Sequence, residues 1–399
     1  MPTAVLDLDL RELPDGLDGL DAYDRAFVLI RWRGRPVGQA VLPVTGGRAG
    51  TEGLRETLIE AAGWPLRERW LHDHLGWDAA PPAGPRPSAT VAVCTRDRPE
   101  DLRACLAALM RLPDDGQEIL VVDNCPASGE TERLAASHGR VRYVREDRPG
   151  LDVARNRALR EARGEVVAFT DDDAAPDPGW LRALLAGFGD RQVLCVTGLT
   201  LPAELETAAQ EGFERYGGFG RGFTRTAFDS RSHDPLVTGG IGAGVNMAVR
   251  RSVLHEIGPF DEALDAGTPT RSGGDHELFT RILAAGYRIV YEPEAINWHR
   301  HRRTWEELRA TLYGYGVGVY AAWTRSLLVE GELSVPAAAW GWFLHGQLRR
   351  LAVSLLRRPG SMPLDLVMAE LRGCAAGPFA YLRSRRRVSA HLRAEARPA

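Results

Sequence analysis

The sequence predicts an α/β fold in which a mostly parallel sheet has helices on both faces. Two observations support this prediction. Short runs of β-branched and apolar residues, typical of buried strands, alternate with segments whose apolar residues recur at i, i+3, i+4 and i+7. The strands are joined by helical segments, and such crossover connections link parallel strands. With 399 residues, 44% of them apolar, the chain can bury a sizeable core.

The first unit is a small α+β module over residues 1–80. Residues 27–30 and 37–44 flank a Gly-Arg-Pro turn and predict a β-hairpin. Residues 51–62 then carry apolar side chains at helical spacing, with Thr51 as the expected N-cap.

A Pro-rich linker over residues 81–87 ends this module, because proline fits neither an inner strand nor the interior of a helix. The main α/β domain follows over residues 88–320. A helical, Arg-rich region over residues 321–399 completes the chain. We therefore expect three units joined in this order.

The main domain begins with four strands separated by three helices. We predict strands at residues 90–94, 118–122, 141–144 and 165–170, and helices starting at Pro99 and covering residues 131–137 and 152–162. Ligands of such sheets bind beyond the carboxyl ends of the strands. The candidate site residues are therefore 95–98, 123–124 and 171–173.

Three consecutive aspartates, Asp171 to Asp173, follow the fourth strand. Like charges repel at this spacing, so the group needs a physical explanation. One interpretation is a solvated turn that caps a helix starting at Pro178-Gly179-Trp180. The other is a site of oxygen ligands for a divalent cation that bridges a diphosphate.

Composition excludes several classes of function. All 50 basic residues are Arg, which excludes Schiff-base chemistry on Lys and a Walker phosphate lysine. The formal charge of −3 argues against a dedicated nucleic-acid binder. Five cysteines without a CxxC pair favour a reducing compartment, and the acidic N-terminus is unlike a signal peptide, so we expect a cytoplasmic protein.

Several segments, in a fixed order, resemble inverting family 2 glycosyltransferases with the GT-A fold. The nucleotide-sugar half is carried by TVAVCTRDRPEDLRACLAAL, EILVVDN, GLDVARNRALREARGEVVAFTDDD and PDPGWL. The acceptor half is carried by GAGVNMAVRRSVLHEIGPFDEAL, GGDHELFTRILAAGYRIVYEP, NWHRHR and YGYGVG. The resemblance spans residues 88–319. It implies a metal-dependent enzyme that moves a sugar from a nucleoside-diphosphate sugar to an acceptor of unknown identity.

The resemblance also implies roles for the residues that bind the nucleotide sugar. Thr95, Arg96 and Asp97 would line the nucleotide pocket. Asp123 would contact the base, and Arg155 would lie near the ribose or the phosphates.

The triple aspartate matches the DXD motif of that family. Asp171 and Asp173 are its outer positions, Asp172 would lie beside the donor, and Asp173 would hold Mn²⁺ or Mg²⁺. His299 would complete the metal or diphosphate contacts, with His301 as the second choice. The alternative for either histidine is an ordinary packed side chain.

Asp275 is the expected general base. Direct displacement at an anomeric carbon needs a carboxylate that takes the acceptor's proton on the face opposite the leaving diphosphate. Asp275 follows two glycines and opens a helix, whose positive end favours its ionised form; the alternative is a helix N-cap. Many family members carry Glu-Asp here, whereas this chain has Gly274-Asp275, so Glu277 is a possible substitute for the missing Glu. Gly274, His276, Glu277 and His301 are the acceptor-side candidates.

Two other enzyme or binding classes stay open. A sugar nucleotidyltransferase shares the fold but would need an early Gly-rich loop with Arg and Lys, and the chain has no Lys. A non-catalytic sugar-nucleotide-binding subunit needs no base, so the presence of Asp275 argues against it.

Two further stretches lack an assigned role. The Gly-rich residues 237–246 predict a close backbone approach under the acceptor rather than a dinucleotide loop. Residues 203–235, with aromatics among glycines, predict an acceptor-binding or closing loop.

The C-terminal region concentrates positive charge. Residues 346–399 contain 11 Arg and three acids, a net charge of +8, so the rest of the chain carries −11. One interpretation is a helix that lies in a membrane interface and makes the protein peripheral at the inner membrane face. The other is a packing helix over the main domain with a solvated basic tail. The all-Arg, Gly- and Ala-rich composition suggests a bacterial source.

Overall fold

The computed structural model describes residues 2–50, 53–77 and 86–395, with side chains up to residue 391. The expected N-cap Thr51 and residues 81–85 of the predicted linker lie outside the described residues. The described chain forms an N-terminal four-stranded sheet, a large central sheet and a C-terminal group of helices.

The N-terminal module contains the predicted hairpin and more. Its elements are β1 (Thr3–Asp9), β2 (Arg25–Trp32), β3 (Arg35–Thr45), β4 (Arg48–Ala49) and α1 (Leu54–Leu75). β2 and β3 pair antiparallel, as the turn predicts, while β1 adds a parallel edge strand that the sequence pattern did not predict. Helix α1 runs well beyond residue 62, across a break at Gly63, where φ is 56°.

The first half of the main domain follows the predicted order. Its elements are β5 (Ala89–Thr95), α2 (Pro99–Leu109), β6 (Glu118–Asn124), α3 (Glu130–Ala136), β7 (Val141–Glu146), α4 (Leu151–Glu161) and β8 (Val166–Asp171). The strands β7, β6, β5 and β8 are all parallel neighbours. Every predicted strand and helix of this half is present, with ends shifted by one or two residues.

The second half makes the sheet mixed rather than uniformly parallel. Its elements are β9 (Ala174–Pro176), α5 (Trp180–Ala186), β10 (Val193–Pro202), α6 (Ala208–Gly217), β11 (Thr226–Phe228), β12 (Asn246–Arg250), α7 (Val253–Glu256), α8 (Gly274–Ala284) and β13 (Arg288–His299). The sheet order is β11-β13-β10-β12-β8-β5-β6-β7, and β9 pairs with β13. β12 runs antiparallel to both β8 and β10, and therefore joins two parallel groups.

Both faces of this sheet are buried, as its near-continuous apolar strands predict. In β5, Val91 and Val93 pack with α2 and α5 on one face, whereas Ala92 packs with α4 and α8 on the other. Phe27 and Leu29 of β2 also pack against the main domain, in a cluster with Leu201 and Tyr291. The N-terminal module is therefore docked on the main domain through an apolar contact.

The C-terminal region is helical, as predicted. It begins within α9 (Trp305–Arg325) and continues through α10 (Val335–Trp342), α11 (Arg349–Leu355) and α12 (Leu364–Glu395). π-helical turns follow α9 and join α10 to α11. Helix α12 packs along α9. In the part of the chain that the structure describes, no helix is long and apolar enough to cross a membrane.

Candidate active site

A cavity of about 940 Å³ opens at the carboxyl ends of the central strands. Its wall combines α4, α6, the Gly-rich segment 239–245, the start of α8, and the helices α9 and α12. The candidate residues among its lining are Arg155, Asp171, Asp275, His276, His299 and His301. Six of the candidate residues therefore face one space.

Strand register brings the acidic and histidine candidates together. β8 ends at Asp171, and β13 ends at His299. β9 pairs antiparallel with the end of β13, so that Ala174 lies opposite His299 and Asp173 lies next to it. The backbone N–H of Arg300 donates to the Asp173 carbonyl at 2.9 Å and fixes this corner.

Asp171, Asp173 and His299 form a cluster that fits a divalent cation. One ligand atom from each residue lies within 4.8 Å of the others, and His299 Nε2 is 3.3 Å from Asp173 Oδ1. Two carboxylates and one imidazole form a donor set that suits a first-row transition metal such as Mn²⁺. Asp173 and His299 are buried and Asp171 is half-buried, so the cluster also differs from a solvated surface turn.

The surroundings shift the pKa values of Asp171 and Asp173 in opposite directions. Burial, with the nearby Asp173 carboxylate, raises the pKa of Asp171 to about 6. Burial also disfavours the ionised form of Asp173, but contacts with His299 and Arg98 outweigh it and lower the pKa of Asp173. Arg98 Nη2 donates to Asp173 Oδ2 at 2.8 Å, and Arg302 Nη1 lies 3.4 Å from the same oxygen.

A chain of hydrogen bonds orients His299, the histidine of this cluster. His299 Nδ1 is 2.9 Å from His301 Nδ1, and His301 Nε2 is 3.2 Å from Glu214 Oε2. Burial lowers the pKa of His301, which favours its neutral form. If neutral His301 donates through Nε2 to Glu214, its Nδ1 accepts from His299, and His299 Nε2 keeps the free lone pair that a metal ligand needs.

Asp172 lies between the two cluster aspartates but points elsewhere. Its carboxylate accepts from the Thr95 hydroxyl at 2.6 Å and from Arg98 Nη1 at 2.5 Å, and burial raises its pKa to about 7. Asp172 is not among the residues that line the cavity. Thr95 and Asp172 are therefore hydrogen-bonded to each other and do not line the cavity, whereas we expected each to face the donor.

The alternative that the triple aspartate caps a helix is wrong. Helix α5 begins at Trp180 with Gly179 as its N-cap and no side-chain cap bond. The Gly179 N–H is instead bound by Asp177 Oδ1 at 3.0 Å.

Asp123 lies at the end of β6, fully buried, with one oxygen bound and one free. Its Oδ2 accepts from the Tyr143 hydroxyl at 3.0 Å, and Oδ1 has no hydrogen-bond partner among the described residues. Burial raises its pKa. An unpaired buried acceptor of this kind suits a donor N–H of a ligand. Arg96 and Asp97 are exposed, and Asp97 Oδ1 accepts from the Ala127 N–H at 2.8 Å.

Arg155 is a buried cation among carboxylates. Its Nη1 donates to Asp152 Oδ1 at 3.0 Å and to Asp265 Oδ2 at 2.8 Å. Burial alone would lower its pKa, but Asp265 and Asp152 raise it, so the guanidinium stays charged. The expected place of Arg155 near the ribose or phosphates is compatible with its position in the cavity wall.

Asp275 lies in the first turn of α8, facing the cavity. Its Oδ2 accepts from the Gly244 N–H, and its Oδ1 accepts from the His276 N–H, both at 2.8 Å. Burial opposes ionisation, but His276, Arg155 and the two N–H groups together lower its pKa. The helix N-cap is Gly273 rather than Asp275, so the capping alternative does not explain this residue.

The other acceptor-side candidates differ in position. His276 lines the cavity, with Nδ1 2.8 Å from the Thr238 hydroxyl. Glu277 is buried and bound by Arg281 at 2.7 Å and Arg325 at 2.9 Å, and it does not line the cavity. Glu277 lies three residues after Gly274 on α8, but its carboxylate is held by Arg281 and Arg325, so it is poorly placed to take over the contact expected of a Glu at position 274.

Sequence reasoning missed several residues around the cavity. The polar ones are Glu214, Asp265 and Arg302 in the cavity wall and Asp152, which binds Arg155, and Tyr315 is an aromatic one. Arg98 belongs to the predicted candidate range 95–98 and binds Asp172 and Asp173, although it does not line the cavity. The segment 203–235 was expected to be a loop, but it contains α6, which starts with a capping box of Thr207 and Gln210. That Thr-x-x-Gln spacing could have been read from the sequence.

The chain is similar to known glycosyltransferases. Residues 90–258 match the family model described as Glycosyl transferase family 2. The chain is 27% identical over 296 residues to a pre-mycofactocin glycosyltransferase of Mycobacterium tuberculosis, a match that covers 69% of this chain. It is 27% identical over 246 residues to glycosyltransferase AglE of Haloferax volcanii, covering 59% of this chain and 74% of that protein.

The chain spans 58% of the length of the mycobacterial relative. Among solved structures, a mannosyltransferase from Pyrobaculum calidifontis, in complex with GDP-Man and Mn²⁺, superposes with a TM-score of 0.52. The two are 20% identical, and the match covers 78% of this chain and 94% of the other. At this identity the match describes the fold.

Proposed function

We propose that this chain, which belongs to the family 2 glycosyltransferases and has the GT-A fold, is an inverting, metal-dependent enzyme that uses a nucleoside-diphosphate sugar. The family and the fold are established by the matches above. The reaction stereochemistry, the metal and the residue roles are the proposal. Its supporting observation is that one cavity is lined by Asp171 and His299, two members of the Asp171–Asp173–His299 cluster, and by the Asp275 carboxylate.

Asp171, Asp173 and His299 would hold the cation. When bound there, Mn²⁺ or Mg²⁺ would neutralise the charge that develops on the leaving diphosphate. The imidazole of His299 favours Mn²⁺, because Mg²⁺ prefers oxygen ligands. The Glu214–His301–His299 chain positions the imidazole, and Arg98 compensates the charge of Asp173 from behind.

Asp275 would act as the general base. Its lowered pKa keeps the carboxylate ionised, and the Gly244 and His276 N–H groups fix its orientation. The acceptor hydroxyl or other nucleophile gives its proton to Asp275 as its lone pair attacks the anomeric carbon. The bond from that carbon to the diphosphate oxygen breaks on the opposite face, which inverts the configuration.

The test is a thermal-shift panel of nucleoside diphosphates and their sugars, with Mn²⁺ or with a chelator. A ligand that binds the folded state stabilises it by RT ln(1 + [L]/Kd), so the melting temperature rises with the logarithm of its concentration over Kd. We expect one base to stand out with Mn²⁺, and its sugar to release nucleoside diphosphate on incubation. Asp173→Asn should remove the metal-dependent part of the shift.

The matched control is Asp190→Asn, which alters an exposed aspartate on the same domain. It should leave the panel unchanged. Nucleotide binding by the wild-type chain that is equally strong after thorough chelation would contradict the metal site.

A further inference from the structure

The outer face of α12 carries apolar and cationic side chains that no packing contact accounts for. Helical spacing places Arg372, Phe379, Leu382, Arg383 and Arg386 on one side of this helix, and all five are exposed. Phe379 is 74% exposed and Leu382 40% exposed, both high for their residue types.

The opposite side of α12 is buried against the main domain and α9. It consists of small residues and one aromatic, namely Gly373, Cys374, Gly377, Tyr381 and Ser384. Tyr381 donates a hydrogen bond to Asp261 Oδ2 at 2.9 Å. The packing interpretation of the sequence is therefore right for this side and leaves the outer side without a packing partner among the described residues.

The charge on the outer side has one sign. Residues 371–394 contain no Asp or Glu but include the arginines at 372, 383, 385, 386, 387 and 393. From residue 372 to residue 390 the face is about 27 Å long. A surface of this length with interspersed apolar and cationic groups complements an anionic layer with an apolar interior.

The preceding helices repeat the pattern. Trp340, Leu348, Leu355 and Leu356 are exposed on α10, α11 and the turns beside them. Residues 333–364 contain no acid either, and they include arginines at 349, 350, 357 and 358. Trp342 faces the cavity, so the same segment forms part of the site wall and carries the exposed apolar groups.

We propose that the outer face of α12, with residues 340–358, binds the surface of a membrane that contains anionic lipid. Phe379, Leu382 and Trp340 would enter the interface between headgroups and acyl chains, and the arginines would lie among the lipid phosphates. Because Trp342 of the same segment lines the cavity, a membrane bound at residues 340–358 would lie beside the cavity wall. Membrane binding of this kind does not depend on the proposed reaction.

The test is co-sedimentation of the full chain with vesicles of phosphatidylcholine alone, or of phosphatidylcholine with phosphatidylglycerol. We expect binding only with phosphatidylglycerol, and weaker binding at 1 M salt, where the screening length falls to about 3 Å. Arg383→Gln with Arg386→Gln should weaken binding about thirtyfold. Phe379→Ala should weaken it about tenfold.

Matched controls alter exposed residues elsewhere. Arg103→Gln with Arg163→Gln removes the same charge from the main domain, and Trp64→Ala removes an exposed aromatic from α1. Both should bind vesicles like the wild-type chain. Because all altered side chains are exposed, melting temperatures should stay unchanged.

Two outcomes would overturn the proposal. Equal recovery of the protein in the supernatant with both kinds of vesicle at low salt would show that this face does not bind membranes. Binding to duplex DNA as tight as to anionic vesicles, and unaffected by Phe379→Ala, would make it a general polyanion surface.

Discussion

The Asp152 carboxylate lies directly against Gly274. A Cβ atom on Gly274 would be 2.0 Å from Asp152 Oδ2, which is far inside van der Waals contact. Asp152 is fully buried; Arg155 holds its Oδ1, and its Oδ2 has no hydrogen-bond partner among the described residues. This contact explains why glycine precedes Asp275, where the family resemblance leads us to expect Glu.

Gly274→Ala should therefore destabilise the protein and disturb Asp275, its neighbour in the chain. Overpacking of this kind costs about 1–3 kcal/mol. Asp152→Ala removes the obstructing carboxylate, so the double variant should lose less stability than the sum of the single variants. Urea unfolding of all four proteins measures this coupling. Strictly additive losses would show that the two positions do not interact.

Asp275→Asn should separate catalysis from stability. The substitution keeps the size of the side chain but removes the base, and general-base catalysis contributes about 10²–10⁴ in rate. We expect kcat to fall by that amount, with donor affinity near that of the wild type. Steady-state kinetics with the donor identified by the thermal-shift panel measures both quantities.

Glu277→Gln is the contrasting variant for that experiment. Glu277 is buried between Arg281 and Arg325, and breaking a buried ion pair costs about 3–5 kcal/mol. This variant should lose stability while the folded fraction keeps its kcat. If instead the Glu277 variant loses kcat and the Asp275 variant does not, the base has been assigned to the wrong residue.

Asp123→Asn should change the pH dependence of stability in a definite direction. Burial raises the pKa of Asp123 above its ordinary value of 3.8, so the folded state binds the proton more tightly than the unfolded state. The Asp123 carboxyl therefore stabilises the wild-type fold at low pH. This contribution is lost as the pH rises from 3.8 through the raised pKa. The variant lacks this loss, so its stability relative to the wild type should increase with pH.

The same variant tests the expected contact between Asp123 and the base of the nucleotide. Loss of a charged hydrogen-bond acceptor weakens binding by about 10- to 100-fold. Denaturant unfolding across pH and nucleotide titration at neutral pH are the measurements. A stability difference between variant and wild type that does not change with pH, together with unchanged nucleotide affinity, would show that Asp123 is not part of the site.

Local patterns in the sequence are enough to predict the fold and part of the site. The strands β5, β6, β7 and β8 are apolar runs, so their ends, and with them Asp123 and Asp171, could be located. Asp275 could be singled out because it follows two glycines at a helix start.

The direction in which a side chain points could not be predicted. Asp172 turns to Thr95 and Arg98, and Glu277 turns to Arg281 and Arg325, because these buried acids need cations that are distant in sequence. β1 was missed because its pairing with β2 defines it, whereas α6 was missed although its Thr207–Gln210 capping box can be read from the sequence. Strand register at β9 and β13 is what brings Asp173 to His299.

Helices α12 and α9 cross closely at Gly373. A Cβ atom on Gly373 would lie 2.1 Å from the Tyr313 carbonyl oxygen, a backbone atom that cannot turn aside. Gly373→Ala should therefore separate the helices and cost about 1–3 kcal/mol. It should also displace the neighbouring Cys374, which lines the cavity, and so reduce turnover.

Gly341→Ala is the matched control, because Gly341 lies in α10 and a Cβ atom added there would meet no described atom within 4 Å. Alanine is favoured over glycine inside a helix by about 1 kcal/mol, so this variant should be as stable as the wild type or more so. Urea unfolding and turnover of both variants, measured side by side, distinguish a helix contact from a general effect of alanine. A Gly373 variant as stable and active as the Gly341 variant would mean that α12 does not pack on α9 at this distance.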